Sequence, residues 1–235
     1  MKRFFRFLGK CLLAYLLLTL LLVFAWKFTP VPFTPYMVRV KLQEPSLSIQ
    51  HHWVSMDEIS PELVYAVISS EDNLYMKHSG FQWNVIAEQL KKRADGKPLR
   101  GGSTISQQTA KNCFTFAYRT WLRKGVETYF TFLIEKIWGK ERILEVYLNS
   151  IEMGDGIFGC EAAAQTYFHK SAAKLTKKEA ALIAACLPNP RKYSVTNPGP
   201  YMRKRQQQIV NLMPKMARVE FLEERKHQKK TNKDK

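Results

Sequence analysis

An uncharged apolar run near the N-terminus is the feature that most constrains this chain. Residues 11–26 carry no charged side chain, are rich in Leu and are interrupted by one small polar residue, Thr19. As a helix the run spans about 24 Å, and Lys10 and Lys27 can extend toward the interfaces of a ~30 Å hydrocarbon core. We therefore predict a cytoplasmic basic segment at residues 1–10 and a single transmembrane helix at residues 11–28.

The charges around this run predict its orientation. Residues 1–10 contain four basic side chains and no acid, so the positive-inside rule places the N-terminus in the cytoplasm and the rest of the chain outside. A signal peptide cleaved after Ala25 is the alternative. Both interpretations export the domain that follows, which argues against nucleic acid as a partner.

Composition limits the exported part to a globular domain with an anionic partner. The 235 residues are 46% hydrophobic, which excludes a disordered polyelectrolyte, and four Cys without a CxxC pair exclude a disulfide scaffold. The net charge is +17, and residues 91–140 hold eleven basic residues against three acids. A basic domain of this kind can bind nucleic acid, acidic lipid or a phosphorylated substrate. Because the domain is exported, we expect acidic lipid or a phosphorylated substrate.

The periodicity of apolar residues predicts a mainly α domain. We expect a proline-containing linker at residues 29–50, with a short strand at 36–42, then a folded domain at 51–216 and a basic tail at 217–235. Ser60 and Pro61 mark one helix start. Further helices are expected at residues 83–93, 118–137, 140–151, 180–187 and 201–213.

Three segments carry candidate chemistry, and each has a structural alternative. Glu71 and Asp72 follow an apolar helix, whose C-terminal dipole would raise a carboxylate pKa and favour a general base. Solvated acids at a helix end are the alternative.

The second segment, residues 100–112, combines a Gly pair with neutral hydrogen-bonding groups that suit sugar or phosphate. Those groups belong to Ser103, Thr104, Gln107 and Gln108. The alternative is a glycine turn followed by an ordinary capped helix.

The third segment, residues 119–127, places basic residues beside an acid. On a helix, Arg123 and Lys124 lie four and three residues before Glu127, as in a surface ion-pair cluster or in a phosphate site next to a catalytic acid. The histidines show no metal-ligand spacing, so no zinc site is predicted.

Taken together, these segments resemble the peptidoglycan glycosyltransferases of the monofunctional biosynthetic type. The first matches E-D-x-x-F-x-x-H-x-G, with Tyr75 where Phe is usual; the second matches G-G-S-T-I-x-Q-Q; and the third matches R-K-x-x-E. Residues 142–159 and 180–190 resemble two further motifs. The resemblance implies a lysozyme-like, α-rich fold and an enzyme that polymerises lipid II at the periplasmic face of the inner membrane.

The resemblance also implies a mechanism and roles. The growing lipid-linked glycan is transferred to the GlcNAc 4-hydroxyl of lipid II, with inversion to a β-1,4 bond and release of undecaprenyl pyrophosphate. Glu71 matches the general base, Asp72 its tuning partner and Glu127 a second catalytic acid. The donor and its pyrophosphate would be bound by Ser103, Thr104, Gln107, Gln108, Lys111, Arg119, Arg123 and Lys124.

Three roles remain open for Glu127: holding the cations, binding a divalent metal such as Mg²⁺ or Mn²⁺, or assisting departure of the leaving group. No cofactor is otherwise implied, and partners in the cell-wall synthesis machinery are compatible with the family. Two other functions compete with this one. A lysozyme-like hydrolase or lytic transglycosylase would also use a key Glu, but needs no pyrophosphate site. A membrane-anchored scaffold for anionic lipid would leave the five motifs unexplained.

Overall fold

The computed structural model describes residues 1–96, 102–116 and 120–225, and this part of the chain is mainly helical, as predicted. Three short strands accompany the helices: β1 (Gln50–His51), β2 (Glu152–Gly154) and β3 (Ile157–Phe158). The α-helices are α1 (Lys2–Phe28), α2 (Pro35–Gln43), α3 (Pro61–Glu71), α4 (Trp83–Ala94), α5 (Ile105–Phe114), α6 (Trp121–Ile137), α7 (Gly139–Ser150), α8 (Cys160–Phe168), α9 (Lys177–Cys186) and α10 (Pro200–Leu212).

Local sequence signals explain where the core helices begin. At α3 the Ser60 hydroxyl accepts the Glu62 N–H at 3.3 Å, and Pro61 occupies the first turn. A capping box of Thr176 and Glu179 starts α9. The apolar faces then meet in one core, in which α9 packs against α3 and α10 while α5 packs against α6 and α7. This arrangement brings the end of α3 close to α5.

The three strands form a small sheet beside the helices, in the order β1-β3-β2. Strand β1 pairs in parallel with β3, so that Gln50 lies opposite Ile157. Strand β2 runs antiparallel to β3, with an irregularity between Glu152 and Gly154. The sheet fixes Glu152 at the start of β2, next to the helical core.

The N-terminal helix is the one helix among the described residues that is long and apolar enough to cross a membrane. Its C-terminal half docks on the domain: Val23 is fully buried, and its carbonyl accepts the Trp138 indole N–H at 2.7 Å. The Thr19 and Tyr129 hydroxyls lie 2.8 Å apart. The first half of the helix is exposed, as a membrane-embedded segment would be without its lipid.

One sequence prediction about the flanks of the domain is wrong. Residues 36–42 form part of α2 and no strand, because Thr34 caps a helix that begins at Pro35 and buries Met37 against β3. Part of the predicted tail also belongs to the core, since Val219 and two apolar residues that follow it are buried. The basic tail predicted at residues 217–235 thus begins with residues that contact the core, while residues 226–235 lie outside the described part.

Candidate active site

A cavity of about 840 Å³ opens between the end of α3, the outer face of α5 and the start of α6. It collects eight of the eleven residues that the sequence singled out. Two of the others, Asp72 and Thr104, do not line it, and Arg119 lies outside the described residues. The residues that do line it are Glu71, Ser103, Gln107, Gln108, Lys111, Arg123, Lys124 and Glu127.

Glu71 is the last residue of α3 and faces the cavity as a half-buried carboxyl. Burial raises the pKa of Glu71, and this effect outweighs the hydrogen bond from Gln108 and the charge of Arg205, which both lower it. The Gln108 side-chain amide donates to Glu71 Oε2 at 3.0 Å. The predicted direction of the pKa shift is confirmed, but its main cause is burial, so the proposed helix-dipole explanation is not the leading one.

Asp72 is turned away from the cavity and joins the first two motifs. Its buried carboxylate accepts the Gln82 amide at 2.6 Å, the His78 ring N–H at 2.9 Å and the Ile105 backbone N–H at 3.0 Å. Because the N–H of Ile105 belongs to the first turn of α5, Asp72 fixes the start of that helix relative to Glu71. Asp72 therefore positions Glu71 and the helix that faces it.

Thr104 does not line the cavity, and its side chain makes contacts within the protein. Its hydroxyl accepts the Gln107 N–H at 3.1 Å as the N-cap of α5 and donates to the Gly80 carbonyl at 2.7 Å. Gly80 has a φ of +88°, and a Cβ there would lie 2.9 Å from side-chain atoms of Thr131 and Glu135. The close approach of this segment to α6 therefore requires glycine at position 80.

The opposite wall of the cavity is strongly basic. Glu127 is buried and pairs through one oxygen with Arg123 at 3.1 Å and through the other with Lys124. Burial lowers the pKa of Lys111, while the nearby Glu127 carboxylate opposes that shift. Arg123 Nε and Asn112 Nδ2 are buried without a hydrogen-bond partner in the described part of the chain, although both residues line the cavity. These unfilled donors suit an anion with several oxygens.

The sequence missed the wall that closes the cavity on the side of the sheet. Tyr36 and Arg39 enter from α2, Glu152 from β2, and Asn189 and Arg191 from the segment after α9. No motif spacing marked Tyr36 or Arg39, since α2 was interpreted as part of a linker. Helical spacing between these two residues, three positions apart, was the only available signal.

The residues around Glu127 do not fit a resident divalent metal. Both oxygens of Glu127 are engaged by cationic side chains. Among the described residues no group of three or more His, Cys, Asp or Glu side chains lies close enough together to hold an ion. Mg²⁺ and Mn²⁺ prefer several oxygen ligands, and this site supplies one carboxylate among cations.

The geometry places a half-buried carboxyl of raised pKa across one cleft from a wall rich in cationic side chains. The chemistry of these groups suits a helical enzyme that acts on a negatively charged substrate. The Transglycosylase family model matches residues 40–214, and the chain belongs to that family. The resemblance drawn from the five motifs, and the prediction of a glycosyl-transferring enzyme, are confirmed.

Curated relatives extend the similarity over most of the chain. A biosynthetic peptidoglycan transglycosylase of Bacteroides thetaiotaomicron is 48% identical over 93% of this chain and 91% of its own length. Proteins of the same name from Caulobacter vibrioides and Mannheimia succiniciproducens are 47% and 45% identical, over 89% and 87% of this chain and 93% and 86% of their own. The similarity therefore extends over most of this chain and most of each relative.

Proposed function

We propose that this protein is a monofunctional peptidoglycan polymerase that elongates glycan chains from lipid II for cell-wall biogenesis and cell shape. The observation that supports it most is the shared cavity, in which Glu71 faces Lys111, Arg123 and Lys124. A sugar hydroxyl needs a base to become a nucleophile, and a departing pyrophosphate needs neutralisation more than protonation. The cavity offers both on opposite walls.

In the proposed reaction Glu71 accepts the proton of the GlcNAc 4-hydroxyl of lipid II. The freed oxygen forms a bond to the anomeric carbon of the lipid-linked glycan, and the bond from that carbon to the pyrophosphate oxygen breaks. Attack opposite the α-linked leaving group gives a β-1,4 bond. The leaving undecaprenyl pyrophosphate keeps the bonding electron pair, and Lys111, Arg123 and Lys124 stabilise its charge.

The other polar groups hold this arrangement in place. Gln108 donates to Glu71 and keeps its carboxyl oriented toward the cavity. Glu127 holds Arg123 and Lys124 against α6 so that their charges converge. Ser103 and Gln107 line the same space and offer neutral hydrogen bonds to the donor sugars. No step of this mechanism passes through a metal ion, so polymerisation should persist in the presence of a chelator.

We also propose that α1 anchors the enzyme in the inner membrane with its N-terminus in the cytoplasm. The four basic residues before the apolar run support this orientation. Because α1 docks on the helical domain at Tyr129 and Trp138, the cavity would stay close to the outer face of the inner membrane. A polyprenyl-linked substrate is presented at that face. Contacts with other proteins of the cell-wall synthesis machinery are compatible with this location.

The test is polymerisation of lipid II by the full chain in detergent or vesicles. Glu71→Gln keeps the size of the side chain and an acceptor for Gln108 but removes the base, so we expect a fall of about 10²–10⁴-fold. Glu62→Gln on the same helix, outside the cavity, is the matched control. Near-normal polymer from Glu71→Gln would exclude this residue as the base, and release of soluble fragments from finished peptidoglycan would favour a cleaving enzyme.

A further inference from the structure

The wall formed by α2 contributes a cation to the cavity that the described mechanism does not use. Arg39 lines the cavity together with Tyr36, one helical turn earlier. It stands one residue before the range that the family model matches, residues 40–214. The family match therefore does not indicate what the Arg39 guanidinium binds, and its contacts in this structure are the basis for assigning it a role.

Helix α2 is held firmly enough to present a side chain in a fixed place. Thr34 caps its first turn by accepting the Met37 N–H at 3.2 Å, and Met37 and Val40 are buried against Phe158 of β3. The helix also packs on α5, which carries Lys111. Just past its end, Glu44 pairs with an arginine from the opposite rim.

The Arg39 guanidinium is oriented by an aromatic ring and not by an acid. It lies over the ring of Tyr36, 4.7 Å from the ring centre. The Tyr36 hydroxyl donates to Glu152 Oε2 at 2.9 Å, and Arg191 Nε donates to the other oxygen of Glu152 at 2.8 Å. Burial and Glu152 raise the pKa of Tyr36 to about 12, so the ring stays neutral and its hydroxyl remains a donor.

One donor of the Arg39 guanidinium lacks a hydrogen-bond partner within the described part of the chain. Its Nε is buried without a hydrogen-bond partner, and no ion pair involves Arg39 in the described part of the chain. Its charge also adds to a surplus, because it lies close enough to Lys111 to disfavour the protonated lysine, as Arg123 and Lys124 do. A fourth cation beside three others and one carboxylate is unfavourable unless an anion occupies the space between them.

We propose that Arg39 is a substrate-binding residue that donates to a phosphate oxygen of a lipid-linked pyrophosphate in the cavity. This inference rests on the proposed function. The planar guanidinium, held on Tyr36, is pre-organised for phosphate, and little conformational freedom is lost when it binds. The donor glycan and the acceptor lipid II both carry a pyrophosphate, and the experiment separates these two sources.

The experiment compares full-chain wild type, Arg39→Ala, Arg39→Lys and the control Lys41→Ala. Lys41 lies on the same helix and carries the same charge, but it is exposed, outside the cavity and bonded to two loop carbonyls. Initial rates are measured with a short preformed lipid-linked glycan as donor and lipid II as acceptor, varying each in turn. Circular dichroism melting confirms that every variant is folded.

We expect Arg39→Ala to raise KM at least about tenfold for the substrate whose pyrophosphate it binds, with kcat within about threefold of wild type. The KM of Arg39→Lys should lie between those of wild type and Arg39→Ala, because lysine keeps the positive charge but lacks the planar guanidinium that donates two parallel hydrogen bonds. Lys41→Ala should match wild type. A KM within twofold of wild type for both substrates in Arg39→Ala would overturn the proposal, as would a loss confined to kcat.

A second measurement does not depend on polymerisation. Inorganic pyrophosphate should raise the melting temperature of wild type more than that of Arg39→Ala, because the variant binds the anion more weakly. An equal rise in both proteins would overturn the proposal. If wild type fails to polymerise lipid II, the proposed function fails, while this binding comparison still tests whether Arg39 contacts the anion.

Discussion

Glu127→Gln tests whether Glu127 serves to hold the cations of the cavity. The carboxylate is buried and contacts Arg123 at 3.1 Å and Lys124 through its second oxygen. Gln keeps the shape and one acceptor oxygen but removes the negative charge. We therefore expect a folded protein with a less stable cation cluster and severely reduced polymerisation.

The size of the effect follows from the exposure of the two partners. Arg123 is 16% exposed, and a hydrogen bond between charged groups in such a setting contributes about 1.5–3 kcal/mol. Lys124 is 42% exposed, so solvent screening limits the contribution of its ion pair with Glu127 to about 0–1 kcal/mol. Since Gln retains about 0.5–1.5 kcal/mol of the Arg123 contact, the net loss is about 1–2 kcal/mol. That loss corresponds to a melting temperature lower by roughly 2–8 °C in a domain of this size.

The assay is thermal unfolding of the full chain by circular dichroism, with and without inorganic pyrophosphate. The anion should raise the melting temperature of Glu127→Gln more than that of wild type, because the carboxylate no longer competes for Arg123 and Lys124. The control Glu88→Gln removes an exposed pair with Lys92 and should change little. An unchanged melting temperature, or a smaller gain with pyrophosphate than in wild type, would refute the cation-holding role. A chelator should leave wild type unaffected.

Three further outcomes follow from the structure. Because the pKa of Glu71 is raised in the folded state, wild type loses stability as pH rises from the ordinary carboxyl pKa through the folded one. Glu71→Gln should thus be the more stable protein at neutral pH and equal to it in acid, as denaturant titrations at several pH values would reveal. Tyr75→Phe removes a buried hydroxyl that donates to the Lys140 carbonyl at 2.6 Å; it should cost about 1 kcal/mol by thermal melting and leave polymerisation intact. Arg142 donates to the Trp26 carbonyl at 2.7 Å, in the last turn of α1, so Arg142→Ala should speed limited proteolysis between anchor and domain.

Helices and motifs were predictable because their signals are local. Ser60, Pro61 and the apolar face of α3 fix that helix without reference to the rest of the fold. Helical spacing placed Glu127 beside Arg123 and Lys124, and the structure has both ion pairs. The contact of Gln108 with Glu71 joins two different motifs and appears only in the fold. Local signals do not show whether a side chain at a helix end faces the cavity or a neighbouring element. Asp72 and Thr104 stand at such ends, and both side chains contact other segments of the protein.

The helix α2 escaped prediction for a different physical reason. Four prolines between residues 30 and 45 suggested an extended linker, yet Pro35 stands in the first helical turn, where it needs no hydrogen bond. The stability of so short a helix comes from burial of Met37 and Val40 against β3, which is a long-range contact. Tyr36 and Arg39 reach the cavity only through that packing.

The position of α2 changes how the positive charge of the chain is to be interpreted. Within the folded part, the excess of basic over acidic residues lies in residues 91–140 of the sequence. Arg39 and Arg191 come from outside that window and line the same cavity. Arg191 forms ion pairs with Glu44 and Glu152, whereas no acid pairs with Arg39 among the described residues. Two carboxylates hold Arg191 in the wall between α2 and β2. Arg39 keeps an uncompensated charge, and in our proposal it adds to the charges of Lys111, Arg123 and Lys124 that face the anion.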